Sequence, residues 1–339
     1  MKKRVDWIDV AKFWGMFLIY LGHFGPAAGS AYAWAFSFHV PLFFFLSGCL
    51  ENYNRRGPLQ NLGHKALTTL LPFYLFGLLS LFYEAISSNT AAPLESGLRI
   101  LLQGGVRNSI AYGAGLWFLS CLFVIQIAFS LIKRIPYKPV ELLLCLAAYL
   151  AAELLIDPRP IAAPHGYYNV DSACYYLIFY GLGWLTFPFI NRLLNETHAA
   201  ARVLKVCLTA VCFAYSALLF WGRDWLLPMA AVHPLLRAAY GLLLPLPSIW
   251  LVVMASHLFQ SEGLKRVGRH SLYLCGNEFL IKSLVPQGLA LIGLPLAVNT
   301  PIQAYLYSLA LLALVNIALV PLEKPLLERL QGLFMRRDQ

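Results

Sequence analysis

The chain has 339 residues, 59% of them hydrophobic and only 12% charged, with a mean hydropathy of +0.65. Soluble domains carry about 25% charged residues, so this composition excludes a water-soluble globular fold. The net charge of +10 invites a nucleic-acid partner, but the basic residues stand in short groups between apolar runs and form no continuous patch; none is expected.

Apolar runs of bilayer length recur from end to end. The chain reads as an all-α polytopic membrane protein, in contact with membrane lipid, a bundle of about ten transmembrane helices. The spans fall at 7–25, 31–50, 66–88, 113–132, 139–156, 172–190, 204–222, 234–258, 271–293 and 302–322. Basic groups occupy alternate connections, among them Lys2, Lys3 and Arg4, then Arg55, Arg56 and Lys65, then Lys133, Arg134 and Lys138, and later Lys265, Arg266 and Arg269. The positive-inside rule then predicts both termini in the cytoplasm. Residues 1–339 are expected to form a single integral-membrane domain, since the polar stretches 51–65 and 89–112 are too short to bury a core. The outer connection 157–171, rich in Pro and Tyr, predicts a rim for a polar ligand. Pro72, Pro188, Pro245 and Pro247 predict kinks within spans. The seven cysteines show no metal-ligand spacing and are expected as small core hydrophobes, so no metal is expected.

The first span holds Asp9, Lys12 and His23. A charge at the centre of a bilayer-length helix costs about 2.5–3.5 kcal/mol on insertion scales, so it is rarely without a partner or a task. Lys12 and His23 are eleven positions apart, which on a helix places them on one face and roughly 16 Å apart. Asp9 stands three positions before Lys12 and is expected to pair with it and orient it. Lys12, with Arg55, Arg56 and Lys65, predicts a basic mouth on the cytoplasmic side for a phosphate-bearing anion. At the far end, His23 is suited to act as a general base toward a hydroxyl, with a hydrogen-bonded structural histidine as the plainer alternative.

His39 lies in the second span, within Phe38-His39-Val40-Pro41-Leu42-Phe43-Phe44. That span runs antiparallel to the first, so the two imidazoles fall at similar depth and predict a shared site. In the ninth span Glu278 and Lys282, four apart, must face the bundle interior. They form either a structural ion pair or a device in which Glu278 orients His23. Trp117, within Leu116-Trp117-Phe118-Leu119, is a candidate lining residue for a sugar-binding cavity.

The opening Arg4-(x4)-Asp9-(x2)-Lys12-(x10)-His23 resembles the first helix of the membrane-bound acyltransferase 3 family, in which a basic residue precedes a histidine by eleven positions. The second-span motif, continued by Leu46-Ser47-Gly48, is similar to that family's second helix, particularly in the branch related to fucose 4-O-acetylases. Lys65 to Tyr74, Leu116 to Leu119, and Gly268-(x2)-Ser271-Leu272-Tyr273 resemble further segments of the same family. The resemblance implies O-acetylation across the membrane. Acetyl-CoA would be the acyl-donor substrate, bound from the cytoplasm at Lys12, Arg55, Arg56 and Lys65. A sugar or glycan, free or lipid-linked, would be the acceptor, and His23 would either deprotonate its hydroxyl or itself be acetylated. The expected setting is envelope polysaccharide modification at a bacterial inner membrane. The competing class is a transporter or flippase for a glycan or small anion, in which Asp9, Lys12, Glu278 and Lys282 bind substrate or relay protons. It leaves the two imidazoles behind a basic mouth without a reason.

Overall fold

A computed structural model describes residues 4–51, 58–105, 109–156, 165–221 and 233–335. Among them there are helices, turns and connections but no strand, as an apolar chain requires when every backbone group in the bilayer must bond within its own segment. Helix α1 spans Asp6–Gly22 and α2 Ser30–Glu51, joined by a 3₁₀ turn at Gly25–Ala28. Helix α3 (Pro58–Lys65) runs through a π turn, Ala66–Leu70, into α4 (Leu71–Ser88). A surface helix α5 (Ala92–Leu102) follows, then a 3₁₀ segment Ala111–Leu116 leading into α6 (Trp117–Ile132). The next helices are α7 (Lys138–Ala151), extended by a π turn at Ala152–Ile156, α8 (Val170–Asn195) and α9 (Ala199–Trp221). Beyond 232 come α10 (Pro234–Leu243), α11 (Pro245–Leu258), α12 (Glu262–Arg269) and α13 (Ser271–Leu291). The last are α14 (Pro301–Leu314) and α15 (Val320–Met335), made continuous by a π turn at Val315–Leu319.

All ten expected spans are helical, and eight of the described helical runs are long and apolar enough to cross a membrane. The two that fall short are α1, with 17 residues, and α13, which carries Glu278 and Lys282. The charges Asp6 and Asp9 of α1 and Glu278 and Lys282 of α13 are offset by partners rather than by lipid. Of the expected kinks, Pro245 opens a new helix after Leu244, Pro72 sits in the first turn after a π turn, and Pro188 is accommodated inside α8 without a break. The cysteines divide: Cys49, Cys121 and Cys145 are buried in the core, whereas Cys207 is exposed on α9.

Helix α2 is the central strut. Every residue from Phe38 to Leu46 is buried, so this stretch has no lipid-facing side. It packs on α1 and α8, and small residues set the closest approach. A Cβ added at Gly48 would stand 2.0 Å from the Tyr180 carbonyl oxygen, and one at Gly183 would stand 2.0 Å from that of Phe45. At the inner end of α1, α12 lies equally close, where a Cβ on Gly268 would reach 1.7 Å from the Asp9 carbonyl oxygen. Lys265 donates to Asp6 (2.6 Å) and Glu262 (2.9 Å), and these bonds raise its pKa. By contrast α9 is peripheral and exposes Val203, Val206, Val211, Phe213 and Leu218.

Residues assigned to one side by the basic-loop pattern do meet. Asp6 with Lys265 is one case; another is Glu51, which joins Lys65 and Lys133. On the opposite side, residues 165–169 of the expected rim form a strained clasp, while 157–164 lie outside the described residues. Tyr168 and Asn169 are both left-handed, each with φ 55°, at a cost of about 1–3 kcal/mol apiece. They are held there because Asn169 donates to the Gly104 carbonyl (3.0 Å) and to Ser120 (2.9 Å), and the Tyr168 amide donates to Gln103 (2.8 Å). Gly104 is required, since a Cβ there would lie 2.5 Å from Tyr168 Cα.

Gly48→Ala is expected to force α2 and α8 apart and destabilise the protein by about 1–3 kcal/mol, the usual cost of overpacking. Gly288→Ala, with nothing within 4 Å of the added carbon, should be neutral or slightly stabilising. Thermal unfolding midpoints of the two purified variants check the contrast.

Candidate active site

A cavity of about 420 Å³ lies in the bundle between α1, α2, α6 and α13, with residues of the π turn 66–70 and the 3₁₀ segment 111–116 also lining it. Its lining on α2 is Phe36, His39, Val40, Phe43, Ser47 and Leu50, a spacing of three and four that marks one helical face. Lys12, Met16, Ile19 and His23 form the matching face of α1, as the spacing of Lys12 and His23 predicts. Most of the wall is apolar, with polar groups concentrated at the two ends. Leu50 at one end is 38% exposed and Phe36 at the other 41% exposed.

At the His23 end three charged or polar side chains converge. Helix α1 stops at Gly22, and His23 is its C-cap, with φ −73° and ψ 3°, rather than a residue within the helix. The imidazole reaches α13, where Nδ1 lies 2.6 Å from Glu278 Oε1. A carboxylate accepts and cannot donate, so Nδ1 carries the proton, and Nε2 of the neutral ring keeps a free lone pair. Glu278 is 2% exposed and takes a second bond, 2.8 Å, from the Lys282 ammonium. Lys282 also donates to the Tyr20 carbonyl at 2.7 Å and lies 4.6 Å from the Phe24 ring centroid. It thereby caps the last turn of α1, where carbonyls lack helical partners and a cation is favoured. Glu278 and Lys282 thus form an ion pair, and the same carboxylate bonds His23.

His39 is 5% exposed, and its Nδ1 donates to the Ala35 carbonyl of its own helix at 2.8 Å. Its Nε2 is therefore the unprotonated atom of the neutral ring. The Phe36 ring packs against both imidazoles, 5.5 Å from His23 and 4.8 Å from His39 between centroids. Phe279 packs on the other side of His23 at 4.9 Å. The two histidines therefore share one cavity and one aromatic neighbour. Trp117 also lines this cavity.

The inner end departs from expectation in two ways. Asp9 bonds Arg269 on α12 at 3.1 Å and does not pair with Lys12. Lys12 projects into the cavity, and among the described residues no carboxylate lies within 4 Å of its ammonium. Lys65, expected at the basic mouth, is 4% exposed and bonds Glu51 (3.2 Å) and the Gln126 carbonyl (3.0 Å) away from the cavity. The reason is Glu51: a carboxylate buried at the end of α2 draws in Lys65, Lys133 and the Tyr180 hydroxyl. Arg55 and Arg56 lie outside the described residues. Thr69 links the two groups, since it lines the cavity and bonds the Gln126 side chain at 3.4 Å.

Phe36, Arg269 and the Glu51 cluster were not picked out from sequence. Glu51 carried a legible signal, a carboxylate ending an apolar span; Phe36 and Arg269 carried none. Cys275, expected as a core filler, also lines the cavity. Among the described residues no group of three His, Cys, Asp or Glu side chains is placed to hold a metal.

The fold is that of a polytopic helical membrane protein with a histidine–carboxylate pair on the wall of an internal cavity. Residues 5–320 match the acyltransferase 3 family model, described as an acyltransferase domain, and the chain belongs to that family of membrane acyltransferases. No curated protein and no solved structure matches it.

Lys282→Met leaves the buried Glu278 with one partner fewer and uncaps α1; a loss of about 3–5 kcal/mol of stability is expected. The double variant Lys282→Met/Glu278→Leu removes both charges and should lose less. Paired thermal unfolding curves decide whether that order holds.

Proposed function

We propose that the chain is an O-acetyltransferase of the bacterial cytoplasmic membrane that moves an acetyl group from cytoplasmic acetyl-CoA to a hydroxyl of a sugar or surface-glycan acceptor, with His23 as general base. The observation that carries this is the 2.6 Å bond between His23 Nδ1 and the buried Glu278. It leaves Nε2 as the basic atom at one end of a cavity whose other end holds Lys12, which has no carboxylate partner among the described residues.

In the reaction the acceptor hydroxyl gives its proton to His23 Nε2 as its oxygen attacks the thioester carbonyl. Glu278 stabilises the imidazolium that forms, as the carboxylate does in other acid–base pairs. Collapse of the tetrahedral species breaks the C–S bond. The departing thiolate takes the proton back from His23, so an ester and free CoA thiol leave a neutral imidazole. Lys282 keeps Glu278 from swinging away by holding its carboxylate at 2.8 Å. His39 presents a second unprotonated Nε2 to the same cavity and accepts a hydrogen bond from the acceptor. Lys12 attracts the anionic donor to the inner opening, and Arg55 and Arg56 belong to the same cytoplasmic side. Trp117 lines the acceptor's share of the cavity.

Membranes containing the wild type are expected to transfer label from acetyl-labelled acetyl-CoA into an extracted saccharide fraction. His23→Ala should reduce the rate by about 10²–10⁴-fold, the range that general-base catalysis contributes. Lys12→Met should chiefly raise the KM for acetyl-CoA. Equal labelling by His23→Ala would remove that residue from the mechanism, and absence of transfer by folded wild type would remove acetyl-CoA as donor.

A further inference from the structure

The outer end of α2 is unusual for a helix with no lipid-facing side. Tyr32 is 38% exposed and Phe36 41% exposed, although every residue from Phe38 to Leu46 is buried. An aromatic belt at the membrane surface would continue a lipid-facing stripe, and here there is none to continue. Tyr32 and Phe36 instead prolong the face that carries His39, Phe43, Ser47 and Leu50 along the cavity, four residues apart from each other and three before His39. Their rings touch, with centroids 4.8 Å apart. Phe36 lies over the backbone of Gly22, where a Cβ would come within 2.6 Å of the ring, and so it reaches the residue next to His23.

Resting on the transferase function above, we propose that Tyr32 and Phe36 form the acceptor platform, an exposed aromatic surface on which the apolar C–H face of a hexopyranose ring lies while its edge hydroxyls meet His23 and His39. The chemistry of the surroundings selects this class. Two imidazoles that contact the same Phe36 ring each keep an Nε2 lone pair, so two hydroxyls on one ring edge find two acceptors. A simple long-chain alcohol matches the aromatic surface but offers only one hydroxyl. An acyclic polyol offers the hydroxyls without a flat C–H face. The C–H bonds of a sugar carry partial positive charge and suit the negative face of an aromatic ring.

Wild type, Phe36→Leu, Phe36→Trp and Tyr32→Leu are reconstituted in lipid nanodiscs and shown by thermal unfolding to be folded. Saturation-transfer NMR, with irradiation of protein aromatic protons, is then recorded on methyl β-D-glucopyranoside, methyl β-D-galactopyranoside and the acyclic D-glucitol. At least one glycoside should receive saturation at its ring C–H protons from wild type and from Phe36→Trp, with at least a fivefold loss in Phe36→Leu, a smaller loss in Tyr32→Leu, and none for D-glucitol in any protein. In acetyl-transfer assays Phe36→Leu should raise the KM for that glycoside at least tenfold and leave the KM for acetyl-CoA within twofold. Equal saturation by wild type and Phe36→Leu, equal binding of D-glucitol, or no glycoside signal at all would overturn the platform and return these rings to lipid contact. A rise in the acetyl-CoA KM would overturn it too, by assigning Phe36 to the donor. Glycoside binding that depends on Phe36 without acetyl transfer upholds the platform while the acetyltransferase function fails. Transfer indifferent to Phe36 does the reverse.

Discussion

A carboxylate that is 2% exposed inside an apolar bundle can stay ionised only where opposite charge and hydrogen-bond donors surround it. Glu278 has both, from His23 at the end of α1 and from Lys282 one turn further along its own helix. The arrangement ties the two least apolar spans to each other. Lys282 also closes the C-terminus of α1 through the Tyr20 carbonyl, and the Tyr20 hydroxyl returns a bond to the Leu274 carbonyl on α13 at 2.8 Å. The two charges that make α13 a poor membrane helix are thus the ones that lock it to the end of α1. Everything at the outer end of the cavity is referenced to this one carboxylate: which nitrogen of His23 holds a proton, where α1 stops, and which way the imidazole faces.

The rest of the bundle keeps that centre in register. Helix α2 supplies one wall along a single face, and its burial on α1 and α8 depends on glycines at the crossing with α8. At the inner end α12 is fastened to α1 by Lys265–Asp6 and Arg269–Asp9. Asp9 is satisfied there, which leaves Lys12 to face the cavity. A second buried carboxylate, Glu51, gathers Lys65, Lys133 and Tyr180 a short way off. Two carboxylates therefore organise the two ends in opposite senses. Glu278 holds an imidazole on the cavity wall, whereas Glu51 withdraws Lys65 from it.

Much of the site was legible from spacing on single helices. The shared face of Lys12 and His23 follows from eleven residues at the helical repeat, and the pairing of Glu278 with Lys282 follows from four. His39 was legible because a short connection sets adjacent spans antiparallel. What spacing missed were choices between helices. Asp9 has Lys12 in reach on its own helix and Arg269 in reach on another, and the local pattern names only the first. Lys65 looked like a free basic residue because its neighbours in sequence are apolar, and its partner Glu51 is set by how α2 and the turn after α3 meet. Phe36 is one phenylalanine among 22; its contact with two imidazoles depends on α1 ending one residue before His23.

The sequence by itself determined the class of the molecule, since its apolar runs are too long and too many for any structure but a helical membrane bundle. It also determined which residues had to be sheltered, because a charge in a bilayer-length helix must find a partner. Only the tertiary structure decided who those partners are and which charges remain unpaired. Such pairings join helices whose residues stand hundreds of positions apart, as His23 and Glu278 do, and no periodicity along one chain encodes the rotation and depth at which two helices meet. Those are set by packing, down to the absence of a single Cβ at Gly48, Gly183 and Gly268.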